Sequence, residues 1–279
     1  SRFINQITIS TQGIYGIPLD VSATIVFLFV LFGAMLDQAG AGRYFVQLAF
    51  SLLGRFKGGP AKAAVLASGL TGMVSGSSIA NVVTTGTFTI PMMKKVGYPD
   101  HKAAAVEVAC STNGQLMPPV MGAAAFIIAE YCNIEYLKVV KAAFVPAVVS
   151  YIALMYITHL EAGKLGLKGL RKDQIPPFWS TFLKGIYNII PILFLIYELV
   201  FMRRSPQMAV FRAISALAVL IVVQSIVTAV RAGHSPLDGL KASGLLLWRS
   251  LVAGGKGMMG IGVAVSAAGI IVGVVTLGL

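Results

Sequence analysis

Charge is scarce in this chain, and acidic charge is scarcest: Asp and Glu number 10 against 22 Lys and Arg in 279 residues. No pair of carboxylates stands in a spacing suited to general acid–base work. The three histidines, His101, His159 and His234, fall at the ends of apolar runs with no metal-ligand spacing, so a zinc centre is excluded and an interfacial role is expected. Cysteine is nearly absent. Cys110 and Cys132 stand 22 positions apart, about 33 Å along one helix, too far to pair unless the helix folds back. Both read as small buried apolar residues. The chain lacks a Gly-x-x-x-x-Gly-Lys-[Ser/Thr] loop and a nucleophile elbow, which excludes ATP hydrolysis by these residues and leaves enzymatic activity without support. No secretory cleavage pattern is visible. The first residue is Ser and the last apolar run stops at Leu279, so a fragment of a longer polypeptide is expected.

What the chain has in quantity is apolar sequence. It is 57% hydrophobic and 11% charged, with a mean hydropathy of +0.83. Apolar stretches at 21–36, 60–93, 101–131, 137–158, 186–202 and 209–230 reach the lengths that cross a bilayer. The expected fold class is an all-α polytopic membrane protein. The net charge of +12 sits in clusters beside these runs: Arg55, Lys57 and Lys62; Lys94, Lys95 and Lys102; Lys164, Lys168, Arg171 and Lys172. Such clusters mark cytoplasmic loops rather than a nucleic-acid surface, so no nucleic-acid partner is expected and the bilayer itself is.

One apolar run has a polar centre. Residues 60–93 carry Ser75-Gly76-Ser77-Ser78 near their middle and bases of the same sign at both ends. That pattern predicts a re-entrant hairpin entered and left from the cytoplasm. Backbone that leaves the helix at membrane depth must be shielded by protein or face water. The run 101–131 is interrupted at Asn113-Gly114-Gln115-Leu116-Met117-Pro118-Pro119, where the prolines predict a broken helix with unpaired carbonyls near 113–117. Residues 43–54 alternate polar and apolar positions and suit an amphipathic interfacial helix.

A shift of 197 residues aligns Gly72 with Gly269 and Gly76 with Gly273. Each copy follows a span and an amphipathic stretch, 43–54 and 237–252. The expected organisation is a scaffold span with an arm helix over 1–54, a first hairpin and broken helix over 55–131, scaffold spans with a second arm over 132–255, and the start of a second, truncated hairpin over 256–279. Inverted repeats require an odd number of crossings after the loop 160–173, and two apolar runs lie there; Pro191 leaves that count open.

Carbonyls at two breaks, with the hydroxyls of Ser75, Ser77 or Ser78, are the hard oxygen ligands that sodium prefers. The plainer alternative is that Ser and Gly here permit close helix packing. Asn81, Thr84 and Thr85 share a helical face after the tip at i, i+3, i+4 spacing, positioned to contact a carboxylate near a helix N-terminus. The alternative for the threonines is a bond to the carbonyl one turn back. Glu107 is a candidate for proton coupling as an intramembrane carboxylate, and alternatively a structural partner of Lys102 or Lys94.

Three stretches together resemble a known family: Arg55-Phe56-Lys57-Gly58-Gly59-Pro60-Ala61-Lys62-Ala63-Ala64, residues 75–91 (SGSSIANVVTTGTFTIP) and residues 113–126 (NGQLMPPVMGAAAF). They are similar to the large membrane subunit of TRAP transporters, most closely the fused small-plus-large permeases that work with TAXI-type binding proteins. The resemblance implies a sodium-coupled, binding-protein-dependent importer of small organic anions in a bacterial or archaeal cytoplasmic (inner) membrane. It implies an inverted-repeat, elevator-type mechanism with re-entrant hairpins and broken helices. Its partners are then a TAXI-type substrate-binding protein and a small membrane subunit, and sodium is the coupling ion with no other cofactor. By the same resemblance a first sodium site uses Ser75, Gly76, Ser77, Ser78, Asn113, Gly114 and Met117. A second, partial site uses Gly273 and Thr276. Gln115 joins Asn81, Thr84 and Thr85 as a substrate contact. The alternatives are proton coupling, or a non-transporting membrane scaffold.

Overall fold

The computed structural model describes Asn5, Thr8, residues 13–233 and residues 235–276, excepting the side chain of Thr276; His234 therefore lies outside the described residues. The regular structure of the described residues is all helical, with no strand. In chain order the helices are α1 Ile17–Gln38, with a π-helical stretch at Ser22–Val26; α2 Ala41–Leu53; α3 Gly59–Ser75; α4 Ser78–Lys95; α5 Asp100–Gly114; α6 Ala123–Tyr131; α7 Tyr136–Lys164; α8 Phe178–Gly185; α9 Ile190–Ile196, followed by a π-helical stretch at Tyr197–Phe201; α10 Pro206–Arg231; and α11 Pro236–Thr276. Among the described residues α1, α7, α10 and α11 are long and apolar enough to cross a membrane. The pair 172–188 and 190–201, bent by 56°, adds a fifth if it acts as one span. The bend falls immediately before α9, and Pro191 sits in that helix's first turn, where its missing N–H leaves no bond unmade.

The chain divides into two compact units. One takes in the chain up to Met35, Ala123–Val139 and everything from Tyr197; the other takes in Leu36–Gly122 and Val140–Ile196. This grouping differs from the expected domain boundaries, because α6 falls outside the hairpin's unit and most of α7 falls within it.

In the hairpin's unit, α3 and α4 run back to back with α5 packed against both. Small residues make this possible: Ala61, Ala63, Ala64, Ala67, Ser68, Gly69 and Gly72 of α3 are all buried. Gly58, at φ 66°, turns the chain into α3, and Pro60 occupies the first turn where proline is tolerated. The base of the hairpin gathers all three basic clusters. Leu170 N–H donates to the Gly54 carbonyl (2.9 Å), Lys62 meets His159 (2.9 Å), and Lys102 pairs with Glu161. Tyr98, buried in the turn between α4 and α5, donates to the Thr158 carbonyl at 3.3 Å. Burial, with Glu161 nearby, pushes its hydroxyl up to about 12. The α2 arm packs its apolar side on the hairpin, as an amphipathic helix requires.

The other unit packs α10 along α11 and stacks Phe126 on Tyr136, with ring centroids 4.3 Å apart. The second arm expected over 237–252 and the hairpin start expected at 256 both lie on α11, which is one unbroken helix. No proline follows Pro236, so nothing removes a donor. Gly254 stays helical with its open face against Leu31. Cys132 also departs from expectation, being exposed while Cys110 is buried; both are free thiols.

Candidate functional site: the hairpin tip and the broken helix

α3 ends at Gly76, whose left-handed backbone (φ 59°) is the conformation glycine adopts without penalty at a helix C-terminus. Its N–H closes on the Gly72 carbonyl at 3.1 Å. Ser77 is extended and caps α4, its Oγ accepting from Ala80 N–H at 3.3 Å. The polar tip is thus two helix ends separated by two residues.

The second break lies directly against the first. α5 stops at Gly114 and the chain turns through 115–122 before α6. Val120 N–H donates to the Met73 carbonyl at 3.3 Å, and Gln115 Nε2 donates to Ser78 Oγ at 2.8 Å. Three contacts admit no side chain. A methyl on Gly76 would lie 2.3 Å from the Met121 carbonyl, and one on Gly72 would lie 2.4 Å from Gly114 Cα. A methyl on Gly114 would lie 2.7 Å from Asn81 Nδ2.

The structure therefore brings Ser75, Gly76, Ser77, Ser78, Gly114 and Gln115 into one polar junction. Other expected members are turned elsewhere. The Asn113 side chain donates through Nδ2 to Ser150 on α7 at 2.6 Å. Met117 lines an apolar cavity of about 270 Å³ with Gly69, Tyr151 and Met155. The carbonyls expected to be unpaired are mostly engaged: those of Thr112, Asn113, Gly114 and Gln115 accept from residues 115, 116, 117 and 122. Short turns replace the lost helical bonds, though each carbonyl oxygen keeps a second lone pair.

The shared face of Asn81, Thr84 and Thr85 resolves into two. Asn81 is fully buried and donates to the Ser68 carbonyl at 2.9 Å, bridging α4 to α3. Its Oδ1 is buried without a partner. Thr85 is likewise buried, whereas Thr84 faces Asp37 at 3.5 Å. Positions i and i+4 stack along one line, and i+3 falls to its side. Of the second site, Gly273 is buried within α11 and the Thr276 side chain lies outside the described residues.

A further group escaped the expected pairing. Glu107 is 0% exposed, and its partners are hydroxyls rather than Lys102 or Lys94. Oε1 accepts from Thr85, from Ser111 (3.2 Å) and from Ser68 (3.3 Å); Oε2 accepts from Thr89. Lys102 is taken by Glu161, and Lys94 by Asp100 at 3.0 Å. The pattern of Thr85, Thr89, Glu107 and Ser111, at i, i+4 on two helices, was the available signal.

A hairpin tip and a broken helix in contact are features of a transport permease, and comparison decides which kind. The sequence profile of the DctM component of tripartite ATP-independent periplasmic (TRAP) transporters matches residues 3–278. This chain belongs to that family. Among its relatives is the 2,3-diketo-L-gulonate TRAP transporter large permease protein YiaN of Escherichia coli (strain K12), 26% identical over 166 residues, 59% of this chain and 39% of the relative. The C4-dicarboxylate TRAP transporter large permease protein DctM of Pseudomonas aeruginosa is 28% identical over 162 residues, 58% of this chain and 38% of the relative. The sialic acid TRAP transporter permease protein SiaT of Haemophilus influenzae is 29% identical over 168 residues, 60% of this chain and 27% of the relative. The aligned part is thus well under half of each relative. As a TRAP permease segment with several spanning helices, the chain is part of a multi-pass membrane protein, and its relatives are transporters rather than enzymes.

Proposed function

We propose that this chain is the part of a TRAP permease that carries the first ion site of a sodium-coupled importer of small organic anions. The observation that carries the reading is the direct contact between the two breaks, one in the hairpin and one after α5. Sodium takes carbonyl and hydroxyl oxygens, and the junction offers the hydroxyls of Ser75, Ser77 and Ser78 with the carbonyls of the turn after α5. Gln115 and Ser78, exposed and half-buried, are the groups that a substrate carboxylate meets first. Asn81 and Thr85 act from behind by fixing α4.

Substrate arrives from a periplasmic binding protein, of TAXI type by the motifs at 55–64, 75–91 and 113–126, and a small membrane subunit completes the permease of a bacterial or archaeal cytoplasmic membrane. Sodium and substrate bind one state of the hairpin better than the other, and that difference drives the elevator-like movement of the unit that carries it.

The test is thermal stability of the purified whole permease in sodium, potassium and choline chloride at matched ionic strength. A ligand that binds only the folded state raises its stability. A sodium-specific rise is expected. Ser78→Ala should weaken it, and Asn113→Ala should preserve it, because that side chain faces Ser150. Equal stability in all three salts would remove the sodium reading and leave a proton-driven cycle or a scaffold role.

A further inference from the structure

A carboxylate without a cation is costly to bury, and among the described residues none pairs with Glu107. The elements packed around it supply no cation in reach. From α3, Lys62 is held by His159 at the base; from α4, Lys94 is held by Asp100, and Lys95 lies exposed at the helix end. On α5 itself Lys102 is held by Glu161, and His101 lies exposed in the first turn. The titratable groups facing it are Cys110, one turn along α5, and Tyr151 from α7, whose hydroxyl donates to the Cys110 carbonyl at 3.1 Å. Neither carries positive charge.

The hydroxyls around it have two settings. Thr85 Oγ1 lies 2.8 Å from the Asn81 carbonyl as well as beside Glu107, and Thr89 Oγ1 lies 3.1 Å from the Thr85 carbonyl as well as beside Glu107. Each threonine has one hydrogen and two acceptors to choose from. With the carboxylate charged, both threonines and both serines donate to it. With the acid protonated, its O–H donates to a threonine oxygen, and that threonine donates to the carbonyl one turn back. Glu107 and the two threonines are partnered in both states, and one proton is the difference between them.

We propose that Glu107, with Ser68, Thr85, Thr89 and Ser111, is a proton-binding site inside the hairpin, separate from the ion site at its tip. Proton uptake switches the hydrogen bonds that tie α4 to α5.

Infrared difference spectra of the purified whole permease across a pH titration test this directly. The wild type is expected to show a carboxylic-acid C=O band that Glu107→Gln abolishes. The glutamine should fold, since its amide N–H can donate to one threonine oxygen, as the O–H of the protonated acid does, while its carbonyl accepts from the remaining hydroxyls. Persistence of the band in that variant overturns the proposal, as does its absence from the wild type. Should Glu107→Gln fail to fold, the double variant Thr85→Val, Thr89→Val decides. Loss of two hydrogen-bonding partners should shift the C=O band in frequency, and an unmoved band overturns the site. The sodium-dependent rise in stability, recorded on the same samples, reports on the tip alone. Its absence beside an intact band strikes the tip reading, and the converse strikes this one.

Discussion

Two glutamates lie inside this protein and are held in opposite ways. Glu107, fully buried, is ringed by four hydroxyls. Glu198, 3% exposed in the π-helical stretch after α9, faces Arg204 at 2.9 Å and Arg212 at 3.5 Å. The Arg204 approach is a contact of charges rather than an aligned hydrogen bond, since both Nε and Oε2 lack a bonding partner of correct geometry. One carboxylate is locked by fixed positive charge, and the other is cradled by groups that can turn. The difference marks Glu198 as structural and Glu107 as responsive.

The largest effect expected from this contrast comes from treating both alike. Glu198→Gln leaves two arginines without a counter-charge. Breaking a buried pair costs about 3–5 kcal/mol, and because the arginines are 36% and 42% exposed, a loss of about 2 kcal/mol is expected after solvent screening. Glu107→Gln should stay within about 0.5 kcal/mol, as a buried polar group that keeps its partners does. Thermal unfolding of the whole permease compares the two, and equal losses would erase the distinction.

Next is Gly114→Ala, which drives a methyl against Asn81 and Gly72. Overpacking of this kind costs about 1–3 kcal/mol. Because Asn81 is tied to the Ser68 carbonyl, the hydroxyl ring should be disturbed as well. The infrared band of Glu107 should shift in this variant, and an unchanged band would show that ring and junction are independent.

A smaller effect is expected from Lys102→Met. It removes the pair with Glu161 at the hairpin base, an interaction weakened by solvent screening. The Glu107 band should not move, whereas a shift would mean that Lys102 serves Glu107 after all. Smallest is the response to salt. Raising sodium-free ionic strength to about 1 M shortens screening to about 3 Å, which should narrow the stability gap between wild type and Glu198→Gln by a few tenths of a kcal/mol. The gap for Glu107→Gln should stay put.

The hairpin was legible in the sequence because its signals are local: a glycine flanked by serines, bases at both ends, and prolines at the second break. The environment of Glu107 was not. Its distance from Lys102, about one turn, suggests an ion pair, and nothing near it in sequence announces that Glu161 claims that lysine. Asn81, Thr84 and Thr85 do lie on one helix, but spacing within one helix does not reveal which line of it a neighbour covers: Asn81 and Thr85 are buried, and Thr84 faces Asp37. The second hairpin start rests on two aligned glycines. Glycine permits a break without compelling one, and the copy from 252 onward lacks the proline that accompanies the first.

The backbone contacts at Gly72, Gly76 and Gly114 have a mechanical consequence. Side chains give an interface compliance, since rotamers can shift to absorb a small displacement. Where main chain rests on main chain there are no rotamers, so a load applied at the hairpin tip passes to the broken helix undiminished. The junction is stiff, and any slack in the hairpin must be found near its base, at turns such as Gly58 and Gly97.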